Sequence, residues 1–229
     1  MTARAASLPA AHRDSGLYFA GSAGAMALGL LGFEPLFLAG LAGAGLTYLA
    51  FRTAVRAVPQ DGELILAPLD GVVEEVRPGL AAPPELRLGE GTMQRLRLSS
   101  APWDAGGVRA PAAGRIAGRV TTAADRFHIA SSADSASAGR AFLTLDSELG
   151  PIGLVLVTGG FGRRVALEAD PDGLVDAGQE IAMRRFGGWC DLYLPASVAI
   201  VAVEGQRLIA GETPVAVAGE AEAPRVILR

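Results

Sequence analysis

The side chains that could perform chemistry in this sequence are few and far apart. There is one cysteine, Cys190, and there are two histidines, His12 and His128. A Cys/His metal site needs more ligands at closer spacing, so the sequence predicts no metal site. The Cys190 thiol could attack the carbonyl of Trp189, but no histidine lies nearby in sequence to activate it, so we expect a core or surface residue. His128 alternates with apolar neighbours, which is typical of a partly buried histidine.

Three charged side chains have settings that suit binding or catalysis. Asp70 is followed by Gly71 at the start of an apolar run. Asp-Gly is a common turn signal, and the carboxylate could equally be catalytic. Arg163 and Arg164 stand side by side after a glycine. Their guanidinium groups could bind a phospholipid phosphate bidentately, or they could form a solvated pair beside a turn.

The composition excludes several classes of function. All twenty basic residues are arginine, so there is no lysine for biotin, lipoate or a Schiff base with pyridoxal phosphate. The net charge is −4, which argues against a nucleic-acid partner because phosphate binding needs a basic surface. Thirty glycines and fourteen prolines favour many turns and short strands.

An apolar stretch near the N-terminus, residues 16–51, has one strong charge near its middle. A single membrane-spanning helix needs about 20 apolar residues, and this stretch is nearly twice as long. Proline interrupts a helix, so we predict a membrane hairpin of two helices at roughly 17–32 and 36–51, joined at Phe33-Glu34-Pro35. Its many small residues favour close packing of the two helices.

Arginines flank this stretch on both sides, namely Arg4, Arg13, Arg52 and Arg56. By the positive-inside rule both ends remain cytoplasmic, so we expect the chain at the cytoplasmic face of a bacterial inner (plasma) membrane. A buried helical hairpin of a soluble protein is the alternative. A cleaved signal peptide fits less well because the stretch is too long.

Residues 60–217 consist of short apolar runs separated by Gly, Pro and Asp, which predicts an all-β domain. The segments 67–76 and 110–120 both run from Ala-Pro through a glycine into a strand. They resemble the hammerhead strands of biotinyl/lipoyl barrel-sandwich hybrids, which implies that architecture for the domain. Residues 1–15 and 218–229 are expected to be terminal tails.

The order of the motifs resembles one family from residue 12 to residue 217. The most specific pieces are RFG at 185–187 and DLYLP at 191–195, supported by RAP at 109–111 with Gly114. These motifs, behind an apolar hairpin, are similar to those of the short bacterial phosphatidylserine decarboxylases.

That resemblance implies a proenzyme that splits its own chain. In the family a serine attacks the carbonyl of the preceding glycine, here Gly187, and becomes a pyruvoyl group that acts as the electron sink in decarboxylation. An aspartate and a histidine assist the serine. Carried over by position, the aspartate is Asp70, the serine position is occupied by Gly188 and the histidine position by Gly106. Of the family's Asn-Glu-Arg cluster, Arg140 remains, and we expect it to bind phospholipid together with Arg163 and Arg164.

Glycine has no β-carbon from which a pyruvoyl group could form, so we expect no cofactor at Gly188 and no self-cleavage there. The first hypothesis is a non-catalytic relative that binds membrane phospholipid, as a homo-oligomer or beside an active paralogue. The second is a working decarboxylase that makes phosphatidylethanolamine through an unrecognised processing site. The third is a membrane-anchored adaptor, although adaptors carry long helical hairpins that this sequence lacks.

Overall fold

A computed structural model describes residues 8–89, 91–124, 132–159 and 165–219. Two helices near the N-terminus precede a domain made almost entirely of strands. This confirms the all-β prediction with an N-terminal helical hairpin.

The hairpin consists of α1 (Gly16–Gly29) and α2 (Glu34–Phe51). The predicted junction was wrong by several residues, because the chain already turns after Gly29, and Glu34 and Pro35 form the first turn of α2. Proline suits the first helical turn, where its missing N–H has no intrahelical partner, and a glutamate there opposes the positive end of the helix dipole.

Small residues let the two helices approach closely. A β-carbon on Gly29 would lie 2.3 Å from the backbone nitrogen of Phe37, and one on Gly40 would lie 2.7 Å from the carbonyl oxygen of Ser22. Only hydrogen fits at these two positions, so the crossing depends on glycine.

Within the described residues the chain then forms fourteen strands. Their bounds are β1 (Leu64–Leu66), β2 (Gly71–Ala81), β3 (Thr92–Ser100), β4 (Gly107–Arg109), β5 (Gly114–Thr122), β6 (Arg140–Ser147), β7 (Gly150–Thr158), β8 (Ala166–Leu167), β9 (Leu174–Val175), β10 (Glu180–Met183), β11 (Gly188–Leu194), β12 (Val198–Ile200), β13 (Arg207–Leu208) and β14 (Pro214–Ala218).

Eight strands form one curled antiparallel sheet in the order β13-β2-β3-β11-β7-β6-β5-β9. Two three-stranded sheets, β1-β14-β12 and β4-β10-β8, accompany it. Strand β6 illustrates the burial, because Leu143 and Leu145 face the main core while Phe142 joins a second apolar cluster on the other face. Both faces of the sheet are therefore covered at β6, and its residues alternate between them, whereas much of β2 and β5 is exposed.

The helical hairpin packs against the β domain through aromatic rings. Phe186 lies 5.0 Å from Tyr18 and 5.6 Å from Phe51 between ring centroids, both edge to face. Such contacts add to the free energy of apolar burial. The two helices are thus joined to the loop between β10 and β11.

Helix α2 is long and apolar enough to cross a membrane by length and composition. Only 22% of it is buried, and within the described chain it is the one helix that passes this test. Exposed leucines lie along both helices, at Leu17, Leu28, Leu38, Leu41 and Leu49.

Candidate functional site

The loop between β10 and β11 has three successive residues with positive φ. The angles are 57° at Phe186, 75° at Gly187 and 118° at Gly188. Glycine adopts such angles readily, but a phenylalanine there costs about 1–3 kcal/mol. The packing of Phe186 between Tyr18 and Phe51 offsets that strain.

Gly188 begins β11 in a space that admits only hydrogen. A β-carbon there would lie 2.3 Å from the carbonyl oxygen of Val157 and 2.7 Å from the backbone nitrogen of Gly159. Both neighbours are backbone atoms, which cannot rotate away as a flexible side chain would. At Gly187 the same construction places a β-carbon 2.5 Å from the carbonyl oxygen of Ser100.

Gly106 lies just before β4 and is equally enclosed. Its N–H donates to the carbonyl of Ala50 in the last turn of α2 at 2.8 Å, and its carbonyl accepts from the N–H of Arg184 at 2.8 Å. A β-carbon on Gly106 would lie 2.2 Å from the carbonyl oxygen of Arg184. The chain therefore passes directly between the helical hairpin and the loop after β10, and no side chain fits between them without a backbone shift.

Asp70 precedes β2, and both of its carboxylate oxygens have partners. Oδ2 accepts from the Arg56 guanidinium at 2.7 Å, and Oδ1 accepts from the N–H of Ala210 at 2.8 Å. The carboxylate is largely buried. Strand β3 lies between β2 and β11, so Asp70 and Gly188 lie at one end of the same sheet.

Arg184 is fully buried. Its Nε, Nη1 and Nη2 atoms donate no hydrogen bond to any described residue. Burial lowers the pKa of this guanidinium, and the negative charges of Asp70 and Asp104 oppose that effect. Asp104 accepts from the Arg207 guanidinium and from the N–H of Ala101.

The neighbouring Arg185 connects the RFG motif to the N-terminal segment. Its guanidinium donates to the Asp14 carboxylate at 2.8 Å, just before α1. That hydrogen bond lowers the pKa of Asp14, against the opposing effect of partial burial. Asp191 of the DLYLP motif accepts two hydrogen bonds from Arg97, at 2.6 and 2.8 Å. Both motif residues therefore stabilise the fold.

Of the arginines expected to bind phospholipid, Arg140 already hydrogen-bonds to the protein backbone through one guanidinium nitrogen. Its Nη2 donates to the carbonyls of Ala133 and Ser135. Arg163 and Arg164 lie outside the described residues, as does His128. The binding role of these arginines stays a prediction.

Cys190 is a core residue, as one of the two expectations held. It is fully buried, and burial raises the pKa of its thiol far above the ordinary value. Trp189, on the opposite strand face, donates from its indole N–H to Glu74 at 3.1 Å. A thiol held protonated in the core is a poor nucleophile.

Sequence reasoning missed Arg184, Asp104 and the Arg207 partner of Asp104. One signal was present, because two adjacent arginines in or beside a strand face opposite sides, so one of Arg184 and Arg185 had to point inward. Asp104 carried no comparable signal, since its partner lies 103 residues away in sequence.

Comparison with known proteins adds one match. Residues 44–216 match the family model described as phosphatidylserine decarboxylase. The matched range contains the last turns of α2 and nearly all of the β domain, and includes Asp70, Gly106 and Gly188. No solved structure matches the chain.

Proposed function

The chain belongs to the phosphatidylserine decarboxylase family, and on that premise we propose that it is a membrane-anchored member that binds phospholipid without decarboxylating it. The family acts on membrane phospholipid through a pyruvoyl group made from its own chain, so no external cofactor is required.

The observation that carries the proposal is the space around Gly188. The residues there do not fit a pyruvoyl group, because position 188 has no β-carbon and the carbonyl oxygen of Val157 lies only 2.3 Å from the place where one would stand. Gly106, at the family's histidine position, supports the same conclusion, since backbone of Arg184 fills the room a side chain would need. Asp70 remains, but its two oxygens are held by Arg56 and Ala210.

Membrane anchoring is supported by the exposed apolar surface of the hairpin. Helix α2 is mostly unburied, and the exposed side chains of Leu41 and Leu49 lie along it. At its C-terminal end Arg52 donates to the carbonyls of Leu49 and Trp103, and the Trp103 ring is itself exposed. Arginine and tryptophan are the side chains that favour a membrane–water interface. Flanking arginines favour the cytoplasmic face.

A phospholipid is the proposed partner, and either a second copy of the chain or an active paralogue could share the membrane with it. As a partner subunit, this member would stabilise or regulate decarboxylation performed elsewhere. The contacts of Arg185 with Asp14 and of Asp191 with Arg97 hold the scaffold of such a subunit together.

A working decarboxylase is the second candidate function. The three successive positive φ angles at residues 186–188 favour it, since strained backbone is often retained where it serves chemistry. Such an enzyme would need a cleavage site other than the bond before Gly188.

One experiment separates the two candidates. The full chain is purified in detergent, its intact mass is measured, and it is incubated with phosphatidylserine vesicles while phosphatidylethanolamine is assayed. We expect a single species at the full 23.4 kDa mass and no phosphatidylethanolamine. Two fragments together with product would overturn the non-catalytic proposal and establish the second candidate.

A further inference from the structure

We infer that Arg184 is an anion-binding residue, whose guanidinium receives one oxyanion of the phosphate-ester or carboxylate class beside the C-terminal end of α2. No family motif above assigns a role to this position.

The Arg184 side chain carries a charge that the described chain leaves unpaired. It is 0% exposed, and all three of its guanidinium nitrogens lack a hydrogen-bond partner among the described residues. Arginine does not lose its proton in proteins, so the group cannot become neutral when buried. Buried charges are normally paired with an opposite charge or hydrogen-bonded, because leaving water is costly. The group therefore fits a site that an anion completes.

The nearest carboxylates do not provide that anion. Asp70 is paired with Arg56 at 2.7 Å, and Asp104 is paired with Arg207. Each carboxylate also accepts a hydrogen bond from a backbone N–H. With one arginine assigned to each aspartate, Arg184 supplies the excess positive charge in this cluster.

A second buried donor faces the same interior. The hydroxyl of Ser100 is buried and has no partner among the described residues. Ser100 lies directly opposite Gly188 in the β3–β11 pairing, and Leu98 lies opposite Cys190 two residues further along. Side chains two apart share a strand face, so the hydroxyl points to the side of the sheet that Cys190 occupies.

Arg207 provides the side from which an anion could approach. Its side chain is 63% exposed, while the Asp104 carboxylate that it contacts is almost wholly buried. An anion arriving at Arg207 would meet the surface cation first, and the Arg184 guanidinium lies within electrostatic range of the Asp104 carboxylate that Arg207 contacts. Long-lived occupancy would require the turn from Ala101 to Gly106 to move.

A lipid headgroup is the oxyanion that this position favours. Two consecutive backbone hydrogen bonds, from Arg184 to Gly106 and from Gly106 to Ala50, join the site to the last turn of α2. If α2 lies in the bilayer, the headgroup phosphates lie at this end of the β domain. This choice of source rests on the proposed function, whereas the anion site itself does not.

The test uses the full chain in detergent and two arginine variants. Arg184→Met removes the buried charge but keeps an apolar side chain of similar length. Arg77→Met is the matched control, because it removes an arginine charge from an exposed position on a strand. Thermal unfolding is followed while inorganic phosphate is titrated against sodium chloride of equal ionic strength. We expect phosphate to stabilise the wild type and Arg77→Met alike, and to act on Arg184→Met with an apparent affinity at least about tenfold weaker, or about 1.4 kcal/mol.

The variant should also be at least as stable as the wild type without phosphate, because an apolar residue replaces an unpaired buried charge. If Arg184→Met does not fold, hydrogen exchange on the wild type replaces it, and phosphate should slow exchange at residues 101–106 and 183–190. A phosphate response that survives in Arg184→Met, or a wild type with neither stabilisation nor slowed exchange, would overturn the site.

Vesicles identify the source of the anion. If phosphatidylglycerol vesicles stabilise the wild type more than phosphatidylcholine vesicles do, and Arg184→Met loses this difference, the anion is a lipid headgroup. A response to inorganic phosphate alone identifies a free anion and retains the site. If the chain proves to be a cleaved decarboxylase, the proposed function fails while the phosphate measurement in detergent still decides the site.

Discussion

The carbonyl oxygen of Val157 lies 2.3 Å from the point where a β-carbon on Gly188 would stand. Strand β7 therefore closes the place in which the family's serine would sit. The backbone nitrogen of Gly159, the residue directly after β7, lies 2.7 Å from the same point. Gly188 therefore supplies no nucleophile, and the packing around it leaves no room for a side chain that could.

Restoring the serine should destabilise the protein without restoring cleavage. In Gly188→Ser the new side chain would meet backbone atoms and keep a φ of 118°, which costs about 1–3 kcal/mol. Urea unfolding gives the loss of stability, and intact mass gives the extent of cleavage. Gly62→Ser is the matched control, because no atom lies within 4 Å of a β-carbon at Gly62. A stable Gly188→Ser chain that splits before residue 188 would show that the space opens readily.

Removing the Asp70 carboxylate should destabilise the fold by about 2–3 kcal/mol, somewhat below the cost of breaking a fully buried pair. Asp70→Ala leaves Arg56 without its partner and the N–H of Ala210 without an acceptor. Denaturant unfolding measures the change, with Asp176→Ala as an exposed control. The loss of stability in the Arg56→Ala, Asp70→Ala double variant should be smaller than the sum of the losses in the two single variants, since the two residues are in contact. Strictly additive losses would argue against the pair as the cause.

The Arg185–Asp14 hydrogen bond should make docking of the N-terminal segment sensitive to acid. Arg185 lowers the pKa of Asp14 in the folded chain, so the bond stabilises the fold above the ordinary carboxyl value, near 3.9. That contribution is lost as the pH falls below this value toward the lowered pKa. The stability difference between wild type and Asp14→Asn should be about 0.5–1 kcal/mol at neutral pH and should vanish in strong acid.

Unfolding at a series of pH values provides that measurement. Asp176→Asn, which changes an exposed aspartate just after β9, should show no comparable pH-dependent difference. An Asp14→Asn difference that persists unchanged in strong acid would mean that the carboxylate charge contributes nothing.

A charge in the middle of α2 should weaken membrane binding. Leu41 is 54% exposed on that helix, and Leu41→Arg would place a guanidinium at the centre of the proposed membrane segment, at a cost of about 2.5–3.5 kcal/mol. Vesicle flotation measures the loss. Leu174→Arg is the control, because Leu174 is 76% exposed on β9 in the β domain. Equal flotation of both variants would place the membrane contact elsewhere.

Local rules were enough for much of this molecule. The alternation of side chains across β6 and across Trp189 and Cys190 follows from the two-residue period of a strand, so Trp189 and Cys190 could be expected on opposite faces. The apolar composition of residues 16–51 was enough to predict the hairpin. The junction was placed too late in the chain because Pro35, which can interrupt a helix, instead stands in the first turn of α2. The absence of a side chain at Gly188 is a fact of the sequence alone.

Tertiary structure decided what those residues touch. The sequence contains Arg184 and Arg185 as equal neighbours, yet one is buried without a partner and the other reaches Asp14. Which of them turns inward depends on the positive φ angles that follow and on the packing of Phe186 against Tyr18. Those contacts join segments far apart in the chain. A local period gives the alternation of faces, but only long-range packing determines which face becomes the interior.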